Sequence, residues 1–351
     1  MIYRVVLDGI DIYGVTEDTT LVSPELTIDM STAGSFQFEM PSVHKYYKAP
    51  KLMTSDVDVY EENEVIWFGR VLEISTRMDK TKSVYCEGPL AYFNDSIQRP
   101  QIFDTVDIHS FFETVIANHN DQVPENRRFY VGEITVDNTE VYRELNYETT
   151  KDVLDRMCLN AEGGYFYLRK ENGLNYIDWL SEVSYDNNQP AQFGLNLVDI
   201  EQYIKGEKLV TSIIPLGAEI DGAKLTIADV NMGLDYLDSE AVDTFGRITK
   251  VVEFSDIKTA TELLDAGQKW LSEKQFEPLT IKCDAAELHY LDSGYAPFRV
   301  GQRVRVNSMP HLIDTTLPLT SINLSLDSAV KKISVGTQEK RELTEIYKPT
   351  D

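Results

Sequence analysis

The sequence has no apolar run approaching the roughly 20 residues that cross a bilayer. Its first residues, MIYRVVLDG, lack the basic region and apolar core of a secretion signal. No membrane insertion is expected of this chain. Cysteine is scarce: Cys86, Cys158 and Cys283 are odd in number, widely spaced and without a CxxC pair, which argues against a disulfide framework or a zinc ribbon. They read as small buried hydrophobes, in a soluble chain made in a reducing cytoplasm. Basic charge is short as well. Against 58 Asp and Glu stand 33 Lys and Arg, a net charge of −25, whereas a protein that reads nucleic acid needs clustered cations on the phosphates. DNA is repelled by such a chain, not gripped. The same acidity also keeps a large surface soluble, so alone it names no function.

Catalytic signatures are missing too. There is no Walker loop, no GxGxxG after a strand and no GxSxG, which leaves nucleotide binding and serine hydrolysis without support. The histidines, His44, His109, His119, His289 and His311, form no HExxH and no pair at ligand spacing within one helix. His109 and His119 flank one predicted helix without sharing a turn. Cys283 lies near His289, but a thiol dyad needs its base within hydrogen-bond reach and a third group to orient it. Residues 229–240 begin and end like a calcium loop, with Asp229 first and Glu240 twelfth, yet Gly233 falls one place early. A chain this acidic brings carboxylates together by chance, so their pairing is no sign of glycan cleavage. No catalytic, cofactor-binding or metal-binding residue is assigned, and no cofactor is expected.

What is present is period-two alternation. Tyr3, Val5 and Leu7 alternate with Ile2, Arg4 and Val6, then Asp8-Gly9 turns the chain into Ile10, Ile12 and Val15. Leu26, Ile28 and Met30 lead through Ala33-Gly34 to Phe36, Phe38 and Met40, a second hairpin. Strands follow at 57–60, at 65–74 with Trp67 and Phe68, and at 83–87, separated by polar turns at 61–64 and 79–82. Even spacing of short strands indicates a barrel or sandwich.

Near Gly88-Pro89 the character changes. Ile108, Phe111, Phe112, Val115 and Ile116 fall at helical spacing after Asp107, a plausible cap, and a second helix carries Val153, Leu154, Met157 and Ala161 up to Gly163-Gly164. Strands at 129–136, 165–169 and 175–180 make this an α+β insert. Further strands are expected at 197–203, 210–216 and 225–228, then a long loop at 229–240. From Thr259 a helix places Ala260, Leu263, Leu264, Gly267, Trp270 and Leu271 on one face. The block at 279–337 has three alternating runs: Leu279 and Ile281; Val300, Val304 and Val306; Ile322, Leu324 and Leu326. Asp284 is a candidate cap for a helical turn carrying Leu288 and Leu291, and Phe298 with Gly301 anchors and turns the start of the second run. With roughly 150 residues to a domain, the 351 residues divide into a β-barrel at 1–95, the α+β insert at 96–190, a second barrel with one long helix at 191–340, and a tail or linker at 341–351. The fold class is α+β, mainly β, with two small tube-like barrels around the insert.

Several stretches, in order, carry a family resemblance. ELTIDMSTAGSFQFEMP (25–41), VDVY (57–60), FGRV (68–71), YCEG (85–88), FNDSIQ (93–98), GGY (163–165), IPLGA (214–218) and FRVGQ (298–302) span nearly the whole chain. The set resembles the N-terminal region of tailed-phage minor structural proteins, the prophage endopeptidase tail or tail-associated lysin family. The resemblance implies a baseplate or tail-tip hub: a homotrimer whose barrels pack as a pseudo-sixfold ring between the hexameric tail tube and a threefold tip. It implies partners as well: further copies of itself, a distal tail protein, tube or tape-measure proteins, and passing DNA that is not read. It places the chain in the virion tail after assembly in the bacterial cytoplasm. In related proteins the wall-degrading activity lies in C-terminal domains beyond the hub, and no catalytic motif transfers to residues here, so the expected role is structural. A cell-wall hydrolase and a carbohydrate-binding tail module stay open as alternatives.

Overall fold

The computed structural model describes residues 2–336 apart from Val15, 205–208, Asp221, 255–256 and 275–278. The proposed tail at 341–351 lies outside the described residues. Contacts group the chain into two units, 1–200 with 282–351, and 201–281.

The first unit is built on strands that follow the alternation. Tyr3–Leu7 and Ile10–Asp11 flank Asp8 and Gly9, whose φ angles of 49° and 80° suit a two-residue hairpin turn. Val22–Asp29 pairs with Ser35–Met40, and Asp56–Glu61, Glu64–Thr76 and Lys82–Glu87 complete this part. The spatial order runs Val22–Asp29, Ser35–Met40, Lys82–Glu87, Glu64–Thr76, Asp56–Glu61, Tyr3–Leu7, Ile10–Asp11. Gly69 is required where Trp67 crosses its own strand, because a Cβ there would stand 2.4 Å from the indole ring.

The C-terminal block continues the same sheet. Ile322 pairs with Ile28 and Leu324 with Leu26, so Ile313–Ser325 lies beside Val22–Asp29. The other half of that long strand pairs with Arg303–Ser308, and Val330–Gly336 and Leu279–Ala286 follow on its far side. The strands of the first assigned barrel and those of the block at 279–337 are thus joined edge to edge in one hydrogen-bonded series, and the fold is mainly β with an α+β insert.

The insert packs on Glu64–Thr76. Five successive residues of that strand, Trp67 to Val71, are buried, which requires cover on both faces. Phe68 and Phe93 join a core with Phe111, Phe112, Phe129, Phe166 and Trp179 of the insert. Helix Ile108–Asn120 begins where predicted: the Asp107 carboxylate accepts from Ser110 N at 2.9 Å. The second helix is α at Thr150–Val153, π at Leu154–Leu159 and α again at Asn160–Glu162, and it stops at Gly163 and Gly164, both at positive φ. Tyr165–Glu171 and Leu174–Leu180 form the expected hairpin, with Tyr130–Ile134 parallel to the latter. Gln101–Asp107 pairs with Glu140–Leu145, two strands whose polar alternation carries little apolar signal.

In the second unit Ser212–Leu216 is the central strand, antiparallel to Leu237–Asp238 and parallel to Thr249–Glu253. Helix Ala260–Lys274 buries Leu263 and Leu271, and Leu271 packs in a small core with Val210 and Ile213.

Four local expectations are corrected. Residues 225–228 form no strand; the short hairpin there is Glu219–Ile220 with Ala223–Lys224. Asp284 sits inside strand Leu279–Ala286 instead of capping a helix, and the turn that follows is a 3-10 turn, Leu288–Tyr290, preceded by Glu287. Of the two leucines assigned to one face, Leu288 is buried and Leu291 exposed, because the chain leaves that turn at once. The stretch 61–64, read as a polar turn, begins with Glu61 at the end of strand Asp56–Glu61, and Glu61 is buried.

Candidate functional site

The residues weighed as catalytic from sequence do not come together. Cys283 is buried on its strand, and burial pushes its thiol up to about 12, so it is protonated and a poor nucleophile. His289 Nδ1 is engaged by the Tyr295 carbonyl at 2.6 Å, and its Nε2 stands 3.6 Å from Glu62, not against a thiol. His119 is fully buried, and desolvation holds its pKa below the ordinary value. Its Nε2 faces the Arg127 carbonyl at 3.1 Å and so carries the proton; Nδ1 accepts from Ser96 Oγ at 2.7 Å. That arrangement orders the insert core. His44 bonds the Ile12 carbonyl, His109 that of Val136, and His311 the Ser308 hydroxyl, each a local tie. In the loop at 229–240, Asn231 turns its amide nitrogen onto the Leu234 and Tyr236 carbonyls at 3.1 and 2.9 Å, which closes the turn on itself. Among the described residues no three His, Cys, Asp or Glu side chains are grouped to hold a metal ion.

The main polar constellation lies elsewhere, along strand Asp56–Glu61 and the turn to Glu64. Val57, Val59 and Glu61 face one way and are buried. Lys331 enters from strand Val330–Gly336, 270 residues away in sequence, and its Nζ bonds Glu61 at 2.9 Å and Glu287 at 2.8 Å. Arg299 bonds Glu61 with one terminal nitrogen and Glu64 with the other, the latter at 2.9 Å. Tyr290 donates its hydroxyl to Glu61, so Tyr3 donates in turn to Tyr290, at 2.6 Å. Glu287 also accepts from Phe298 N at 3.1 Å. Burial alone pushes the Glu61 carboxyl up, but Lys331 and Arg299 outweigh it and hold the pKa down at about 2. Two cations therefore face two fully buried carboxylates and one more exposed one, Glu64, and the first strand block is fastened to the last.

The opposite face of the same strand fastens the insert. Lys170, on the Tyr165–Glu171 strand, reaches both Asp58 oxygens at 2.7 and 3.0 Å, and its Nζ lies over the Phe68 ring. Asp56 meets Arg127 at 2.7 Å and Asn126 at 2.8 Å. Beside these pairs opens a cleft of about 1040 Å³, lined by Asp56, Asp58, Glu62, Lys170, His289 and Arg299 among others. Asp56, Asp58, Glu61 and Glu64 are each tied to an arginine or lysine, an arrangement suited to holding elements together. An acid/base pair for hydrolysis needs a carboxyl free to exchange its proton with a substrate. Sequence reading passed over Glu61, Arg299 and Lys331, although Lys331 stands in phase with buried Ile333 and Val335 and so marks an inward position.

This architecture recurs in known proteins. Residues 186–342 match the family described as prophage endopeptidase tail. The 43 kDa tail protein of prophage MuSo2 from Shewanella oneidensis has a similar structure, with a TM-score of 0.63 and 14% identity over 95% of this chain and 98% of that one. A tail protein from Neisseria meningitidis MC58 gives 0.62 and 13% over 96% and 97%. Prophage tail protein gp18 from Listeria monocytogenes EGD-e gives 0.56 and 12% over 98% and 97%. No curated protein matches the sequence. At such identities the structural likeness is one of fold. The segment 186–342 is thus similar to the prophage endopeptidase tail family, and the whole chain shares its fold with prophage tail proteins.

Proposed function

We propose that this protein is a structural hub of a phage tail tip or baseplate. Three copies close into a ring that joins the tail tube to the tip and leaves an opening through which DNA passes unread. Its neighbours there are copies of itself, a distal tail protein, and tube or tape-measure proteins. Assembly takes place in the bacterial cytoplasm, and the product ends in the virion tail. We assign ring-forming strands to 1–95 and 191–340 and the insert to 96–190.

The observation that carries this reading is the end-to-end likeness to the MuSo2 tail protein, which leaves almost none of either chain over for another fold. Two features support the ring. The strand series ends at Ile10–Asp11 and Leu197–Ile204, edges that a neighbouring copy would cover. A net charge of −25 suits a passage that must not hold the genome. No catalytic role is assigned to this chain, whose Cys283 thiol is buried and protonated.

Sedimentation of the purified full chain, followed by electron microscopy of the particles and incubation with host cell wall, tests the proposal. A threefold ring with a duplex-wide acidic opening and no wall cleavage is expected. Peptide release from the wall that is lost in Cys283→Ala or on chelation would establish the hydrolase instead, and saccharide binding by exposed aromatics would favour a carbohydrate module. A neutral or basic lumen would sink the DNA-passage part alone.

A further inference from the structure

Two adjoining turns of the first unit place large apolar side chains outside. In the first, residues 187–198 run without a charged side chain, and Phe193 and Leu195 are 54% and 50% exposed. Asn196 fixes this turn: its side chain accepts from Gln192 N at 2.9 Å and donates to the Pro190 and Ala286 carbonyls at 2.8 and 3.2 Å. In the second, the 3-10 turn Met309–His311 leads into Leu312, and Met309 and Leu312 are 73% and 92% exposed. The turns touch. Gln192 pairs with Asn307, Phe193 N donates to the Asn307 carbonyl at 2.9 Å, and the Phe193 and His311 rings meet edge-on at 6.4 Å. Residues 306–313 carry no ionisable side chain but His311, in a chain of which 26% is charged.

Leu312 is the telling residue. Its φ of 55° is the left-handed conformation, which glycine or asparagine adopts at less cost than a leucine. Its side chain then projects almost wholly into water. Strain and exposure both disfavour leucine here in an isolated molecule, so the side chain has its use in a contact. Depletion of charge around exposed Phe, Met and Leu is the composition of an interface centre.

We infer that these two turns form a contact between copies of this chain. The inference rests on the ring proposed above and names a surface that closes it. Charge selects the occupant. At −25 two copies repel wherever acidic surfaces meet, and an uncharged island is where they approach at least cost; a basic partner would be drawn to the acidic surface instead.

The test compares the full-length chain with the triple variant Phe193→Ser, Met309→Ser, Leu312→Asn by sedimentation across a concentration series, at low salt and at a salt level that screens surface charge. The native chain associates, more readily in salt, and the variant needs at least about tenfold higher concentration to do so. Leu312→Asn alone, measured by thermal melting at dilution, unfolds no earlier than the native chain, which separates lost contact from lost folding. A variant that associates like the native chain overturns the surface while the ring stands. A native chain monomeric under every condition overturns the ring and this contact with it. If variant rings form normally but no longer recover the other tail proteins on co-expression, the occupant is a tail protein and the copy contact is wrong.

Discussion

Asp58 and Glu61 lie three residues apart on one strand, the first partly and the second fully buried and both bonded to lysine, yet their acidities move in opposite directions. Burial raises the Asp58 carboxyl above its usual range, and its single partner Lys170 only partly offsets this. Glu61 is the more deeply buried and sits at about 2, because Lys331 and Arg299 both face it and Tyr290 donates a third bond. One cation does not repay the desolvation of a carboxylate; two cations and a hydroxyl do. The insert is therefore held mainly by its aromatic core, with Asp58–Lys170 as a locating pin, while the junction of the first and last strand blocks depends on its ions.

The largest test of that contrast is Lys331→Met. It leaves Glu61 and Glu287 buried with Arg299 alone to balance Glu61, and a loss of about 3–5 kcal/mol in urea unfolding is expected. Pairing it with Glu61→Gln should recover part of the loss; a single variant as stable as the native chain would break the comparison. Next comes acid. Glu61 is depressed from 4.5 to about 2, so its contribution, on the order of 3 kcal/mol, is fully present above the unfolded pKa and is lost as pH falls from about 4.5 toward 2. Urea midpoints measured down this range should fall less steeply in Glu61→Gln. Asp58 has the opposite sign: its ionisation opposes folding, so it adds nothing to the acid loss. Lys170→Met should accordingly cost less than Lys331→Met, about 1–2 kcal/mol, since Asp58 can take up a proton when its partner is gone. Thr149→Ala supplies the yardstick of an ordinary helix cap. It removes the bond from Asp152 N at 3.1 Å, and about 1 kcal/mol is expected in the same melts.

Much of the fold was legible because its signals are local. Asp8-Gly9 turned a hairpin, Asp107 capped a helix, Gly163-Gly164 ended one, and alternation from Tyr3 to Glu87 gave strands within a few residues of their observed ends. Where local signals were thin the reading slipped. Gln101–Asp107 and Glu140–Leu145 are too polar to announce themselves, residues 225–228 carry alternation without a partner strand, and Asp284 looks like a cap only if the strand before it is cut short.

By itself the sequence determined the period of each strand and therefore which residues face inward. Glu61 is in phase with Val57 and Val59, and Lys331 with Ile333 and Val335, so the pattern already held two charges at core positions. Only the tertiary structure decided that those two charges meet, that Arg299 and Tyr290 close around them, and that Ile313–Ser325 joins Val22–Asp29 into one sheet. The reason is physical. A side chain's face is set by the backbone dihedrals of its own strand, whereas its partner is set by chain returning from 270 residues away, and the energy of a buried charge depends almost wholly on that partner.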